Sequence, residues 1–383
     1  MNKGRRSAWY PYLMQLPRSY DTLASFGAFE ANALQVDDAI WVTEKVMSKT
    51  EFDWKEAIGL LKQLELKPQF VTSKAWLWAS ATISSRTLHV PWDSAGCLCP
   101  VGDFFNYAPP EELAATEVSK SCIEDSLLQI RSFKSGDNTE DSILDGEQCD
   151  ACSGRLTDGG YEEELAAYCF YAKKHYQSGE QVLLSYGTYS NLELLEHYGF
   201  LLDENPNDKV YIPLEHDIFT CHSWPTDSMY IQHNGKPSFS LLSALRLWAA
   251  PPKQRKSIGY HALCGSQLSP ENDLIVLKWL SSSCRAILNN LPSTIEDDKL
   301  LLTAIDEAQQ LQSDDMPSYL PCVAAIEFCS FLESIALLSK VKKSLDKWKL
   351  AVQWRLRYKK TLSNCISYCS QTIEILSSEK GAK

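Results

Sequence analysis

The chain has 383 residues, 44% of them hydrophobic, which is long enough for two domains with complete cores. It has neither an apolar run that could span a bilayer nor a signal peptide, so we exclude an integral membrane protein and expect an intracellular, soluble one. Nearly all of the formal net charge of −12 comes from residues 111–164, where 15 acidic residues stand against 4 basic ones.

The first 86 residues are predicted to be helical, because apolar residues recur there at intervals of three and four. Trp9, Tyr12 and Leu13 form one such group, and Val42 and Val46 belong to another. Beyond them the pattern is typical of short strands, which we expect within residues 88–101 and 165–186.

An acidic segment rich in Ser, Gly, Asp and Glu separates these two strand regions, at about residues 111–158. Its composition cannot bury enough apolar surface to offset the entropy of ordering, so we predict a largely disordered loop. Two roles for the loop stay open. It either selects substrates by charge or is a passive, solvated segment, and the composition favours the passive role.

Residues 179–200 contain the most informative motif. A strand is predicted at 181–185, followed directly by Tyr186 and a glycine. A short helix capped by Asn191 is predicted next, and it ends in a second Tyr-Gly pair at Tyr198. A single Tyr-Gly pair is typical of ordinary strand and helix ends. Two phenols on opposite sides of one turn, however, form a polar, uncharged wall that suits methyl transfer from a sulfonium donor.

From residue 205 the sequence predicts a loop, then a strand at 210–213, and helices from residue 238 to the end. Leu241, Leu245 and Trp248 illustrate the helical spacing. An all-helical second domain with its boundary near residue 235 is the simplest interpretation.

A segment upstream of the tyrosines makes the pattern specific. It contains a Ser-Arg pair at Ser85 and Arg86, then Asp103 and Asn106 in an Asp-x-x-Asn sequence followed by Pro109. The motif at 179–200 contains the sequences GEQV, YG, SN, EL and YGF in that order. Together with it, these residues resemble the SET-domain methyltransferases. The resemblance is to the subclass of the Rubisco large-subunit lysine methyltransferase and the actin-histidine methyltransferase, and it covers roughly residues 8–240.

The resemblance implies an α+β fold class. We expect a partial SET domain, with small β-sheets, a pseudoknot-like crossing and a helical insertion, followed by an all-α substrate-binding domain. The helical insertion is expected at 1–86 and the C-terminal half of the SET core at 87–235. The substrate-binding domain of the Rubisco-methyltransferase type is expected at 236–383. The Gly-x-Gly turn that begins SET domains is not in this sequence, so we expect the upstream SET strands to be missing.

The resemblance also implies S-adenosyl-L-methionine as the cofactor and Tyr186 as the catalytic residue, whose hydroxyl orients the target amine. Arg86 suits the cofactor carboxylate because a guanidinium donates two parallel hydrogen bonds. The expected cofactor-binding residues are Arg86, Asp103, Phe104, Phe105, Asn106, Tyr107, Tyr198, Gly199 and Phe200. The expected substrate channel consists of Ser85, Arg86, Asp103 and Tyr189. Tyr107 is a departure, because the family usually has histidine there.

The function implied is that of a protein-lysine N-methyltransferase acting on a non-histone protein. Two alternatives stay open: a histidine-directed methyltransferase, and a catalytically impaired, truncated isoform that acts as a protein-binding module. A third interpretation, a purely helical scaffold protein, would explain only the C-terminal half of the sequence and not the tyrosine motifs. We expect a monomer whose partner is its protein substrate, with no membrane partner and no nucleic acid. The cytoplasm or nucleus is favoured, and a chloroplast location would need a transit peptide upstream of residue 1.

Thirteen cysteines raise the question of disulfides or zinc. We predict reduced thiols, because the number is odd and Cys284, Cys329, Cys365 and Cys369 lie in apolar helical stretches. The pairs at 97 and 99 and at 149 and 152 have the spacing of zinc ligands, but neither has an obvious second pair of Cys or His. We therefore predict no metal.

Residues 340–360 are strongly basic, with nine Lys and Arg, Trp348 and Trp354, and Asp346 as the one acid. The favoured interpretation is a long helix with its aromatic residues inward and its lysines along the surface. The alternatives are docking of an acidic protein partner, docking of nucleic acid, which is less favoured, and pairing with the chain's own acidic loop.

Overall fold

The computed structural model describes residues 4–64, 66–110, 159–172, 175–311, 319–335 and 341–381. The predicted acidic loop at 111–158 lies outside these ranges, as do Cys149 and Cys152. The helices are α1 (Tyr10–Gln15), α2 (Ala28–Asn32), α3 (Asp37–Gln63), α4 (Ser73–Arg86), α5 (Asn191–His197), α6 (His216–Phe219), α7 (Phe239–Ala249), α8 (Arg255–Leu263), α9 (Pro270–Asn290), α10 (Ile295–Leu311), α11 (Cys322–Ile335) and α12 (Val341–Gly381). The strands are β1 (Thr87–Val90), β2 (Asp93–Leu98), β3 (Asn106–Tyr107), β4 (Gly159–Glu162), β5 (Ala167–Phe170), β6 (Leu183–Leu184), β7 (Lys209–Val210) and β8 (Ile231–Gln232).

The chain divides into two compact units, which are described separately. The larger unit comprises Met1–Phe104 and Tyr189–Lys383, and the smaller unit comprises Phe105–Thr188. The predicted domain boundaries after residues 86 and 235 stay predictions.

The first core of the larger unit joins the N-terminal helices to the C-terminal ones. Trp348 of α12 is fully buried, and its ring stacks on that of Phe331 with centroids 4.4 Å apart. Phe29 of α2 contacts the same indole at 5.6 Å, and Leu23 and Leu34 belong to the same cluster. Residues more than 300 positions apart in the chain therefore share one apolar interior.

A second core lies further along α12, where its apolar face meets α7 and α9. Leu245, Leu280 and Leu362 are fully buried there, together with Ile231 of β8. The 41-residue α12 thus contributes to both cores, which explains why its spacing of apolar residues is maintained over so long a segment.

The described residues of the smaller unit contain two short strand pairs. β3 pairs in parallel with β6, placing Asn106 opposite Leu183, and β4 pairs antiparallel with β5. Phe105 packs against Phe170 with ring centroids 5.3 Å apart. Two-residue strands have few ladder hydrogen bonds, so the side chains around β3 and β6 provide much of the stability of this pair.

The structure corrects three local predictions. The strand predicted at 181–185 is limited to Leu183–Leu184, and the one predicted at 210–213 is Lys209–Val210, paired with β8. The cap of α5 is Ser190 rather than Asn191. Ser190 Oγ accepts from the amide of Glu193 while the Glu193 carboxylate accepts from the amide of Ser190 at 2.7 Å, which is a capping box.

The thiols differ in burial. Cys284, Cys365 and Cys369 are buried, as predicted, but Cys329 is exposed, because its position on α11 faces away from the core. In the part of the chain that the structure describes, no three His, Cys, Asp or Glu side chains are grouped to hold a metal ion. Within the same ranges no helix combines the length and hydropathy needed to cross a membrane.

From residue 344 onward, where the structure describes its side chains, the basic segment makes its contacts mainly inside the larger unit. Arg355 and Lys359 are almost completely buried, and both pair with Asp298 of α10. Arg357 pairs with Asp203. Trp348 and Trp354 point inward as predicted. Among the basic side chains of this segment that the structure describes, Lys349, Arg355, Arg357 and Lys359 are therefore paired with acidic residues of the fold, whereas Lys360 stays exposed.

Candidate active site

The C-terminus of α4 and the residues before β3 form a buried polar cluster in the larger unit. Arg86, the last residue of α4, donates through Nη1 to the carbonyl oxygen of Asp103 at 3.1 Å and lies 3.4 Å from its Oδ2. Tyr12 of α1 donates its hydroxyl to the same Oδ2 at 2.6 Å. The Asp103 side chain is only 2% exposed, so these contacts hold its carboxylate in one orientation.

Two atoms of this cluster are buried without a hydrogen-bond partner among the described residues, Arg86 Nε and Asp103 Oδ1. Buried polar groups are normally paired, and an unpaired one costs about 1–3 kcal/mol. A donor with positive charge and an acceptor with negative charge, both unpaired, are complementary to a ligand that carries an anionic oxygen and a cationic nitrogen.

The electrostatics of the cluster agree with this description. Burial, followed by the hydrogen bond and the charge of Asp103, raises the pKa of Tyr12. Burial opposes the charge on Arg86, but hydrogen bonding to Tyr20 and the charge of Asp103 outweigh it and raise the pKa of Arg86. The tyrosine therefore stays a neutral donor and the arginine stays cationic at physiological pH.

The sequence did not identify Tyr12 and Tyr20 as part of the site. Both lie in the N-terminal region, where Tyr12 was assigned to an apolar helix face. Tyr12 is 91 positions from Asp103, and no local signal joins the two. An unusually polar aromatic residue at an otherwise apolar position is the only hint, and it is a weak one.

Several aromatic rings lie close together at the C-terminus of α5. The ring of Tyr198 lies 5.5 Å from that of Tyr189 and 6.1 Å from that of Phe200. Ser84 of α4 donates to the carbonyl oxygen of His197 at 3.2 Å, so the ends of α4 and α5 are adjacent. In the larger unit the structure therefore brings the Ser-Arg pair next to the second Tyr-Gly pair.

Gly199 ends α5 in the left-handed conformation, with φ of 78°. Its amide donates to the carbonyl oxygen of Leu194 at 3.0 Å, which closes the helix. A Cβ at this position would lie 2.9 Å from the carbonyl carbon of Asp21 and 3.0 Å from the amide nitrogen of Thr22. Only glycine allows the backbone to pass so close.

Replacing Gly199 with alanine is expected to lower the free energy of unfolding by about 2–3 kcal/mol, from the left-handed φ and the backbone clash together. Chemical denaturation measures the loss. The matched control is Gly259→Ala in α8 of the same unit, where a Cβ meets nothing within 4 Å, so alanine there should be neutral or stabilising. Equal stability of the two variants would show that the contact with Asp21 and Thr22 is unimportant.

In the smaller unit, Tyr186 and Tyr107 pack together with ring centroids 5.2 Å apart. Tyr186 donates its hydroxyl to the carbonyl oxygen of Phe105. Tyr107 donates its own to the carbonyl oxygen of Gly187 at 3.0 Å and is only 8% exposed. The tyrosine that departs from the family pattern therefore has a structural role, because it fixes the turn that follows Tyr186.

Phe104 and Asn106 are both exposed, and the Phe104 ring stacks on Tyr12 at 6.1 Å. Ser85 donates its hydroxyl to the carbonyl oxygen of Ala81 within α4 at 2.7 Å, so towards a ligand its side chain can act only as an acceptor. The predicted site residues of the larger unit are Ser85, Arg86, Asp103, Phe104, Tyr189, Tyr198, Gly199 and Phe200, and those of the smaller unit are Phe105, Asn106, Tyr107 and Tyr186. That both sets serve one ligand stays a prediction.

Comparison with known proteins gives consistent results. The family model of the Rubisco LSMT substrate-binding domain matches residues 192–362. The chain is 50% identical to Protein SET DOMAIN GROUP 40 of Arabidopsis thaliana, over 98% of this chain and 76% of that protein. It is 24% identical to the actin-histidine N-methyltransferase of Gallus gallus, over 78% of this chain and 48% of that enzyme, so it spans about half of the enzyme's length.

Among solved structures, the chain is similar to the crystal structure of the SET domain of LSMT bound to lysine and AdoHcy. The TM-score is 0.52 with 18% sequence identity, covering 97% of this chain and 72% of the other. A second structure, of Rubisco LSMT bound to sinefungin and monomethyllysine, matches with a TM-score of 0.51 and 17% identity over 97% of this chain and 72% of the other. At identities this low, the structural similarity shows the fold alone. It confirms the predicted α+β fold class.

Proposed function

Since the chain belongs to the SET-domain methyltransferase family of the Rubisco large-subunit type, we propose that it is an S-adenosylmethionine-dependent protein methyltransferase. Its target in this proposal is a lysine side chain of a non-histone protein. The observation that carries the proposal is the unpaired, buried pair of Arg86 Nε and Asp103 Oδ1.

These two atoms fit the cofactor. The methionine end of S-adenosylmethionine carries a carboxylate and an ammonium group, which match an unpaired guanidinium donor and an unpaired carboxylate acceptor. Phe104, Tyr198 and Phe200 would provide aromatic surface, and Gly199 leaves room beside it. In the smaller unit, the exposed Asn106 and the main chain of Phe105 and Tyr107 would hold the adenine. When bound, the cofactor supplies a methyl group on a sulfonium that already carries its leaving group.

Tyr186 would act on the nucleophile. Its hydroxyl proton is held by the carbonyl oxygen of Phe105, so its oxygen presents lone pairs to an N–H of the target amine. Packing against Tyr107 fixes the ring. A lysine must be neutral to attack, and apolar surroundings lower its pKa and favour that form. Orientation of the amine then supplies much of the rate acceleration.

The proposed substrate channel uses main-chain oxygens. The carbonyl oxygen of Asp103 already accepts from Arg86, which fixes its direction, and it keeps a second lone pair for the amine. The carbonyls of Ser85 and Arg86 would contribute in the same way, and Tyr189 would provide an aromatic wall. Main-chain acceptors do not titrate, so they would hold the amine without protonating it.

Isothermal titration with S-adenosylmethionine tests the proposal directly. We expect the parent chain to bind and Arg86→Lys to bind about tenfold more weakly, because lysine keeps the charge but loses the guanidinium fork. Arg285→Lys, at an exposed position on α9, is the matched control and should bind like the parent. If the parent releases no heat of binding, the chain is the non-catalytic protein-binding module instead.

A histidine target is the second candidate, and the similarity to an actin-histidine N-methyltransferase supports it. Mass spectrometry of methylated proteins in cells with and without the gene distinguishes the two. Loss of methyl-lysine from a non-histone protein supports the proposal, whereas loss of methyl-histidine alone supports the second candidate. We propose a monomer in the cytoplasm or nucleus, and fractionation of cells locates the chain.

A further inference from the structure

A polar cavity of about 780 Å³ lies in the larger unit, formed by four segments. Residues 203–206 and Asp208 after α5 form one wall, the turn at His233 and Asn234 forms the second, and α12 from residue 353 to 364 forms the third. Leu302 of α10 completes the lining. Its volume is within the range of ligand-binding pockets, which is about 300–1,000 Å³. None of the functions predicted from the sequence uses it.

The walls are held by specific contacts. Gly235 has φ of 85°, and a Cβ there would lie 2.5 Å from backbone atoms of both Asn364 and Cys365, so the turn is pressed against α12. Asn205 is 2% exposed, and it donates to the carbonyl oxygen of Tyr189 at 2.9 Å and accepts from the amide of Asn207 at 3.0 Å. Both loops are therefore preorganised, and a ligand would not have to order them.

The groups with unused capacity on these walls are mainly donors. Among the described residues that line the cavity, His233 Nδ1 is buried without a hydrogen-bond partner, and it donates in the tautomer that carries its proton there. Lys360 lines the cavity, and its side chain has no hydrogen bond or ion pair with any residue that the structure describes. Arg357 donates to Leu202, Gln353 and Asp203, and it keeps two further N–H groups. Unpaired donors require acceptor oxygens on the ligand.

Acidic groups on the opposite wall limit what that ligand can be. Asp203 and Glu204 line the rim, and Asp208 lies deeper. Asp208 accepts from the amide of Asn191 at 2.6 Å and from its side chain at 2.7 Å, and burial raises the pKa of its carboxyl. Three carboxyl groups disfavour a polyanion such as a nucleic-acid backbone. A peptide ligand of mixed or low charge that carries one carboxylate is compatible with both the acidic wall and the wall that carries the unpaired donors.

We propose that this cavity docks an extended segment of the protein substrate through an acidic side chain, whose carboxylate is bound by Lys360 and His233. The proposal rests on the proposed function, since the lining residues from 203 to 361 fall within the region matched by the substrate-binding family model. Peptide carbonyls would accept from the remaining donors, and Glu204 would accept from a peptide amide. Asp208 also accepts from the amide of Asn191, so the docking site is adjacent to the N-terminus of α5, the helix that leads to Tyr198.

Methyl-labelled leucine makes the cavity observable by NMR, because Leu302 and Leu356 line it. The probe is the blocked peptide acetyl-Gly-Glu-Gly-amide, added to the full chain without cofactor. We expect saturable shifts of these two methyl groups, about tenfold weaker binding of the Gln analogue, and weakening of the Glu peptide by high salt. Inorganic phosphate should not compete. Absence of shifts, equal binding of the Gln or Lys analogue, or competition by phosphate would each overturn the proposal.

Lys360→Glu should abolish the shifts, and Lys360→Gln, which keeps most of the side-chain length, should weaken them about tenfold. Lys256→Glu on α8 is the matched control, because it makes the same charge change at another exposed position. Unchanged binding by both Lys360 variants would refute the role of that residue. Because no cofactor is present, the result is independent of the titration with S-adenosylmethionine, so the docking site and the enzymatic proposal can fail separately.

Discussion

Replacing Tyr186 with phenylalanine is expected to slow methyl transfer by on the order of 100-fold, which is the usual effect of removing one preorganised hydrogen-bonding group from a catalytic site. The ring would stay in place, since it packs against Tyr107 at 5.2 Å. What is lost is the hydroxyl held by the carbonyl oxygen of Phe105, and with it the oxygen that would orient the amine. Single-turnover methyl transfer from labelled S-adenosylmethionine measures the rate.

Tyr211→Phe is the matched control for this experiment. Tyr211 also donates its hydroxyl to a main-chain carbonyl, that of Asp227 at 3.2 Å, but it is exposed and outside the candidate site. The two variants lose the same group, so a difference in rate isolates the position. Affinity for the cofactor should be unchanged in both. If Tyr186→Phe is as fast as the parent chain, Tyr186 has no catalytic role.

Replacing Asp298 with alanine is expected to lower the free energy of unfolding by about 3–5 kcal/mol, because it removes the carboxylate that two buried cations share. Asp298 is fully buried and accepts from Arg355 at 2.8 Å and from Lys359 at 2.6 Å. Arg355 keeps Glu327, at 2.9 Å, whereas Lys359 keeps only the neutral partners Ser293 and Gln35. Burial lowers the pKa of Lys359, so without Asp298 its charged form is poorly supported.

Denaturant titration measures this loss, and Asp306→Ala on the same helix is the control. Asp306 pairs with Lys349 near the surface, and exposed pairs of this kind contribute about 0–1 kcal/mol. Similar midpoints for the two variants would mean that the buried network around Arg355 contributes no more than a surface ion pair. We expect the midpoints to differ clearly, because water cannot replace the lost carboxylate in the interior.

The ion pairs of Asp298 with Arg355 and Lys359 were not predicted from the sequence. The basic segment at 340–360 was expected to lie along the surface or to meet an acidic partner, and the structure instead buries Arg355 and Lys359 against α10. Spacing correctly placed Trp348 and Trp354 inward, because apolar periodicity follows directly from helix geometry. It could not show that two cations share that inward face, because their partner Asp298 lies about 60 positions away.

The local elements differ in how well they were predicted for a related reason. The helices are recognisable because 3.6-residue periodicity is a property of the segment itself. Strand ends are set by a partner strand, so β6 and β7 are shorter than their apolar runs suggested. At the start of α5 both Ser190 and Asn191 are suitable caps. In the structure Ser190 is the cap, because the side chain of Asn191 is hydrogen-bonded to Asp208 and to the backbone of Leu202.

By itself, the sequence determined the family, the α+β class and the identity of the chemical groups, because the Ser-Arg, Asp-x-x-Asn and Tyr-Gly motifs are local and specific in combination. Only the tertiary structure decided how those groups are oriented and what supports them. It joined Tyr12 to Asp103, left Arg86 Nε and Asp103 Oδ1 unpaired, and formed the cavity beside Lys360. The physical reason is that these arrangements depend on contacts between distant segments, which the spacing of residues along a chain does not encode.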